Sequence, residues 1–254
     1  MKLKKILGID IGGSGVKGAI VDTKKGELIS DRFRVPTPQP STPEAVAEVI
    51  KEITEHFKWG GPVGIGYPGV IQHGIARTAH NVDNSWIDKD LNRLFSETTG
   101  CKVHVVNDAD AAGMAEMKFG EGKGFKGVAI LVTVGTGLGT VMFTDGKLVP
   151  NLELGHIILK GDDAELYASD AARKEQELEW PEWAGRFNEY LKRLEALVWP
   201  DKIIIGGGIS KKEDKFLPYL TTKAPVVPAK LLNEAGIIGA ALVSRYYNKM
   251  EKRS

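Results

Sequence analysis

Apolar positions along this chain alternate between short β-rich runs and stretches spaced for a helix. Residues 6–11 and 16–21 are apolar runs that predict two strands, joined by the turn Gly12-Gly13-Ser14-Gly15. Residues 27–35 predict a third strand, ended by prolines at 36, 38, 40 and 43. Thr42-Pro43 marks a helix entry, a hydroxyl N-cap followed by proline at the first helical position. Val46, Val49, Ile50, Ile53 and Phe57 then recur at spacings of three and four, one face of a helix that stops before Gly60-Gly61. Residues 62–67 predict a short strand stopped by Pro68-Gly69, and 91–99 a helix ending at Gly100. Residues 103–106 predict a strand that delivers Asn107-Asp108 at its C-terminal end, followed by a helix over 109–119.

The pattern then begins again. Residues 129–134 and 138–143 are a second pair of apolar runs around Gly135-Thr136-Gly137. Residues 147–150 read as a turn, 164–176 and 181–198 as helices, and 202–205 as a buried strand entering Gly206-Gly207-Gly208. A helical stretch follows at 216–220, and a final helix starts near Gly236. Strand-strand-strand-helix-strand-helix, seen twice, predicts a duplicated α/β fold with a cleft between its halves. The expected division is 1–107 plus 236–254 for a smaller domain and 108–235 for a larger one.

Two matched glycine-rich turns point to a phosphoryl donor gripped from two sides. A turn whose N–H groups converge on an anion is expected to need positive φ, which glycine adopts freely. Missing side chains also let phosphate oxygens reach the backbone, and Ser14 and Thr136 add hydroxyls. Taken singly, either turn also reads as a tight hairpin without a ligand. Neither is a Gly-x-x-x-x-Gly-Lys-Ser/Thr loop, and neither leads into the helix of a dinucleotide fingerprint.

Composition narrows the partners. The chain has 254 residues, 42% hydrophobic and 26% charged, with a formal net charge of +1. It can bury a sizeable core and carries no bulk bias toward nucleic acid or membrane, so a polyanionic partner needs a local basic patch. One cysteine, Cys101, excludes an intrachain disulfide and a multi-cysteine metal site. No run approaches about 18 apolar residues and no secretory signal is evident, so the expectation is a cytoplasmic protein.

Seven ordered stretches together resemble the ROK family of sugar kinases, within the actin/hexokinase-like (ribonuclease H-like) superfamily. They are Asp10-Ile11-Gly12-Gly13-Ser14, Tyr67-Pro68-Gly69, Asn107-Asp108-Ala109-Asp110-Ala111-Ala112, Gly135-Thr136-Gly137-Leu138-Gly139, Glu153-Leu154-Gly155-His156, Gly206-Gly207-Gly208-Ile209-Ser210 and Gly236-Ile237-Ile238-Gly239-Ala240-Ala241. Within the family the chain is most similar to the polyphosphate glucokinase (polyphosphate/ATP-glucomannokinase) branch. That likeness is carried by Gly12 to Gly18, Pro36-Thr37-Pro38-Gln39-Pro40, Asn81-Val82-Asp83-Asn84-Ser85-Trp86 and Ala224-Pro225-Val226-Val227-Pro228-Ala229. The resemblance implies a two-domain actin/hexokinase-like fold and a homodimer. It implies transfer of a phosphoryl group from inorganic polyphosphate, or ATP, to the 6-hydroxyl of glucose, with Mg²⁺ as cofactor.

The resemblance also implies roles. Asp108 is the expected general base; taken alone, Asn107-Asp108 reads first as a helix cap. Asn107, Asp108, Glu153, His156, Glu165, Asn81 and Gly69 are the expected glucose contacts. A carboxylate accepts from vicinal hydroxyls and an imidazole can donate or accept. The expected donor-binding set is Asp10, Gly12, Gly13, Ser14, Gly15, Lys17, Thr133, Gly135, Thr136, Gly137, Gly207 and Gly208, with Asp10 near Mg²⁺ directly or through water. The triple glycine at 206–208 stands where the superfamily binds adenosine. Many ROK kinases carry a cysteine-rich zinc module after Glu-x-Gly-His. Here Gly161-Asp162-Asp163 stands in that stretch, so no zinc site is expected. Lys17, Arg77, Lys123, Lys126, Lys211, Lys212 and Lys215 are candidate cations for a polyphosphate track, each also readable as ordinary surface charge. Two other classes fit less well. A ROK-type repressor would carry a helix-turn-helix before the first hairpin, and a polymerising actin-like protein has no use for the Glu153 and His156 motif.

Overall fold

The first glycine-rich turn joins an antiparallel pair, β1 (Lys5–Gly12) and β2 (Gly15–Asp22), in register from Lys5 opposite Asp22 to Gly12 opposite Gly15. A computed structural model describes residues 4–79 and 82–251. Its contacts divide the chain into two units, Met1–Ala115 with Glu234–Ser254, and Glu116–Asn233.

In the first unit, β3 (Glu27–Leu28) and β4 (Phe33–Val35) both pair with β2. A single strand over 27–35 is therefore corrected. Ser30 Oγ accepts from the Ile20 amide at 2.9 Å, replacing a ladder bond and separating the two short strands. Helix α1 (Pro43–His56) starts where Thr42 caps the Ala45 amide. Strand β5 (Val63–Tyr67) lies parallel to β1, and a small ribbon of β6 (Ile71–Gln72) and β7 (Ile75–Ala76) follows. Helix α2 (Leu91–Thr99) is capped by Asp90 and closed by left-handed Gly100. Strand β8 (Val103–Asn107) lies parallel to β5 and runs directly into α3 (Asp108–Phe119). The sheet order is β3-β2-β1-β5-β8. One face packs Trp86, Tyr67 and Phe95 with the aliphatic face of α1. The division between the units falls inside α3, which leaves Asp108 with the first unit.

The second unit repeats the plan. Strands β9 (Val128–Val134) and β10 (Leu138–Thr144) form the second glycine-turned hairpin, and β11 (Lys147–Val149) extends it as a strand where a turn is expected from sequence. A two-strand ribbon, β12 (Ile158–Leu159) and β13 (Asp162–Asp163), precedes α4 (Ala164–Ala168) and α5 (Asp170–Glu175). One helix over 164–176 is thus corrected to two. Ser169 breaks it by capping the Ala172 amide, while Trp183 Nε1 donates to the Ala168 and Ser169 carbonyls. Helix α6 (Trp180–Val198) leads to β14 (Lys202–Gly207), parallel to β9, and then β15 (Val226–Pro228). The expected helix at 216–220 is only a 3-10 turn over Leu217–Tyr219. Sheet order β11-β10-β9-β14-β15 parallels the main path of the first sheet, which carries β4 as a sixth strand on β2. Trp183, Phe187, Tyr190 and Phe216 form its aromatic core.

Helix α7 (Ala235–Met250) returns to the first sheet. It sits on glycines: a Cβ at Gly8 would lie 2.1 Å from the Ile237 carbonyl oxygen, and one at Gly64 1.8 Å from that of Ala240. Bare backbone at both positions lets the helix lie directly on the strands.

Candidate functional site

Parallel strands β1 and β5 place Asp10 opposite Gly66, and β5 and β8 place Tyr67 opposite Asn107. The chemistry of the first unit therefore collects at the carboxyl ends of adjacent parallel strands, where open α/β sheets bind ligands. Gly66 stands between the Asp10 carboxylate and the start of the Asp108 side chain. A Cβ there would lie 3.5 Å from Asp108 Cα and 3.7 Å from Asp10 Oδ1. On another side of Asp10, a Cβ at Gly236, in the first turn of α7, would come within 3.2 Å of the same oxygen. Burial pushes the Asp10 carboxyl up, with Lys17 opposing. Lys17 is the cross-strand partner of Asp10, yet no cation lies within 4.0 Å of Asp10 among the described residues. A half-buried carboxylate without an ion pair fits Mg²⁺, which binds proteins through one or two carboxylates and keeps waters and phosphate oxygens as its other ligands.

Asn107 is the N-cap of α3. Its Oδ1 accepts from the Asp110 amide at 2.9 Å and its Nδ2 donates to the Gly69 carbonyl at 3.1 Å. This buried amide retains one N–H for a sugar. Gly69 is hemmed in by Tyr67 and Thr78, so no side chain fits there. Asp108 follows at the first helical position, its Oδ1 accepting from the Ala109 amide. Asn81 lies outside the described residues.

The donor turns depart from expectation in one respect. None of Gly12, Gly13, Gly15, Gly135, Gly137 and Gly208 has a left-handed φ; only Gly207 does, at 78°. What glycine supplies there is room. Gly13, Gly135 and Gly208 have no atom within 4 Å of where a Cβ would stand, so an anion can approach the backbone. Gly15 and Gly137 are occupied by neighbours: their Cβ atoms would meet the Arg34 guanidinium at 2.5 Å and Glu165 Oε2 at 2.3 Å. The Gly135 amide is spent on the Gly137 carbonyl. Ser14 and Thr136 are exposed at the two tips. Gly13 also opens on a pocket of about 260 Å³ walled by Thr37, Gln39, Pro40, Ser41, Val82 and Asp83.

In the second unit the parallel pair β9 and β14 sets Thr133 and Val134 opposite Gly206 and Gly207. Gly207 must be glycine, because a Cβ would lie 2.4 Å from the Val134 carbonyl oxygen. The Gly135–Gly137 turn and the 206–208 turn are thereby neighbours. Beside them stand the expected sugar ligands. His156 Nε2 is 3.6 Å from Glu153 Oε2, and His156 Nδ1 is 2.7 Å from Asp163 Oδ2. Glu165 Oε2 accepts from the Leu138 amide at 3.4 Å. Gly155 allows this turn to touch β10, since its Cβ would lie 2.0 Å from the Leu138 carbonyl oxygen. Burial disfavours charge on His156, but the Asp163 hydrogen bond, Glu165 and Glu153 together outweigh it and raise its pKa.

Asp163 was not evident from sequence. One of its oxygens holds His156 and the other caps the Glu165 amide at 3.1 Å, so it orients two expected sugar ligands at once. An acidic residue two before Glu165 is a legible cap; its bond to His156 is not. His156, Asp163 and Glu165 are also the one set of histidine and carboxylates among the described residues whose ligand atoms converge, all within 4.8 Å. Of the cations expected on a track, Arg77 pairs with Asp88, Lys215 lies near Asp214, and Lys212 stacks over Trp180. Arg34, absent from that set, donates from Nη2 to the Ser14 carbonyl.

The ROK family model matches residues 6–175. The chain is 48% identical over 238 residues to the polyphosphate glucokinase of Mycobacterium tuberculosis, covering 93% of this chain and 90% of that one. It is similar to the solved inorganic polyphosphate/ATP-glucomannokinase of Arthrobacter sp. strain KM, with a TM-score of 0.93 and 48% identity over 96% of this chain and 99% of that one. A ROK family glucokinase from Streptomyces griseus, solved with glucose and AMPPNP, matches with a TM-score of 0.81 and 26% identity over 95% and 99% of the two chains. These matches carry the actin/hexokinase-like fold.

Proposed function

The chain belongs to the ROK family, and on that premise we infer that it is a sugar kinase, a polyphosphate-dependent glucokinase forming glucose 6-phosphate, with ATP as a second donor. The observation that carries the chemistry is the pair of acidic residues, Asp10 and Asp108, flanking Gly66 at adjacent strand ends.

Asp108 takes the proton of the glucose 6-hydroxyl as its oxygen attacks the terminal phosphorus. The bond to the next bridging oxygen breaks, and the shortened polyphosphate, or ADP, leaves. A positioned base contributes roughly 10²–10⁴-fold; most of the rest of phosphoryl-transfer catalysis is alignment and charge stabilisation. Asp10 would hold Mg²⁺, which when bound neutralises charge on the phosphate oxygens. Gly13 and Gly208 offer donor phosphates open backbone, and Gly12, Ser14, Gly15, Thr133, Gly135, Thr136, Gly137 and Gly207 complete the proposed donor-binding set, with Lys17 beside Asp10. Glu153, His156 and Glu165 hold the sugar hydroxyls, with Asn107, Asn81 and the Gly69 backbone as additional contacts. The family resemblance supports a cytoplasmic homodimer, to be checked by sedimentation of the purified protein. Among the described residues, no helix is long and apolar enough to cross a membrane.

The deciding experiment measures glucose 6-phosphate formation with Mg²⁺, comparing polyphosphate with ATP side by side. Product from polyphosphate at a rate equal to or above that from ATP is expected. Product from ATP alone would overturn the donor assignment, and product from neither would overturn the kinase.

A further inference from the structure

A donor without a base or ribose must be held by its charge alone, and the arrangement of cations beside the first turn bears on how. Asp10, Lys17 and Arg34 are successive cross-strand partners on β1, β2 and β4. Paired residues project to the same face of a sheet, so the three side chains form one rung. It starts at Asp10, proposed above to hold Mg²⁺, and becomes cationic outward through Lys17 and Arg34. Strands stand about 4.8 Å apart, so each step along the rung moves by more than one phosphate of a linear chain.

Arg34 is exposed, and no carboxylate lies within 4.0 Å of it among the described residues. It is nonetheless fixed. Its Nη2 is bonded to the Ser14 carbonyl at 2.5 Å, and its guanidinium fills the space where a side chain at position 15 would stand. The remaining N–H donors of that planar fork suit phosphate oxygens. The pocket that Gly13 opens on is walled by Asp83, an ionised carboxylate whose pKa is lowered by the Ser85 hydroxyl and amide. Arg34 does not line that pocket. A polyanion leaving the turn is repelled from the Asp83 side and drawn to the guanidinium.

We propose that Arg34, outward of Lys17, binds the trailing phosphates of a polyphosphate chain and so selects long polyphosphate over shorter donors. This rests on the donor assignment made above. ATP, whose three phosphates end in adenosine, has nothing to place at Arg34.

The test compares wild type with Arg34→Gln and Arg34→Lys, after equal thermal melting is confirmed. KM is measured for ATP, tripolyphosphate and a polyphosphate of several tens of units, at two salt concentrations, along with binding of the long polyphosphate without glucose. Arg34→Gln is expected to raise the long-chain KM and Kd about tenfold, to erase the advantage of long chains over tripolyphosphate, and to flatten the salt dependence of binding. Arg34→Lys should restore part of the long-chain affinity, since the charge persists without the fork. A long-chain KM that does not move, or an equal rise for ATP and polyphosphate, would overturn the proposal while leaving the donor assignment intact. Wild-type protein inactive on polyphosphate overturns the donor assignment and this proposal with it.

Discussion

At the residue scale, Asn107 and Asp108 divide two duties that the sequence leaves superposed. Asn107 caps α3 through the Asp110 amide, so loss of the Asp108 carboxylate leaves the cap in place. Asp108→Asn should therefore melt within a degree or two of wild type and lose roughly 10²–10⁴-fold in turnover. Turnover within tenfold of wild type would place the base elsewhere. Asp163 poses a second test. His156 has its pKa raised above the ordinary 6.5 despite burial. The sign follows: protonated His156 contributes stability that is fully present below about 6.5 and is lost as pH climbs through the raised folded value. Asp163→Asn replaces the carboxylate that bonds Nδ1 at 2.7 Å, so the His156 titration followed by NMR should move to lower pH, and the pH profile for glucose KM with it. An unmoved titration would mean that Glu165 and Glu153 suffice. Asp10, Asp108, Glu153, His156 and Glu165 stand out in the sequence because each lies in a short linear motif. Arg34 and Asp163 do not, because their partners at Ser14 and His156 are set by strand pairing and by a ribbon fold that no local pattern announces.

At the element scale, hairpins and capped helices were readable where the deciding interaction is local. Thr42 before Pro43 and Gly100 after Thr99 mark helix ends by chemistry contained in a few residues. Expectation failed where the decider is remote. Trp183 draws the carbonyls of Ala168 and Ser169 out of what reads as one helix, and Ser30 reaches across to the Ile20 amide to split one strand into two. The positive φ expected of the donor turns failed for a different reason. The glycines there provide open or shared space rather than unusual backbone. Helix α7 gives the sharpest element-scale prediction. A methyl at Gly64 would stand 1.8 Å from the Ala240 carbonyl oxygen, and backbone cannot yield as a side-chain tip does. Gly64→Ala should cost about 3 kcal/mol by urea denaturation and should weaken catalysis by shifting Gly236 from Asp10. Alanine tolerated at both levels would mean that α7 stands off the sheet.

At the scale of the whole molecule, two sheets that share a five-strand path each carry one glycine-rich turn, and their likeness was visible as a repeated apolar rhythm. Where the chain divides between units was less visible, since a helix can run on past the boundary without any change in its pattern. A ligand that binds only folded protein stabilises it by mass action, about 2.7 kcal/mol at a hundred times Kd. Glucose at that excess should raise the melting temperature by roughly 5–10 °C, and His156→Ala should abolish the shift; a shift that survives would remove His156 from the sugar ligands. The seat of α7 has a consequence for biosynthesis. Domains generally fold as they leave the ribosome, but the opening sheet here is covered by a helix translated only after the entire second unit. Its glycine-lined face must wait, solvent-washed, while everything between is made, so nascent chains stalled before that last helix are the ones that chaperones and proteases should recognise.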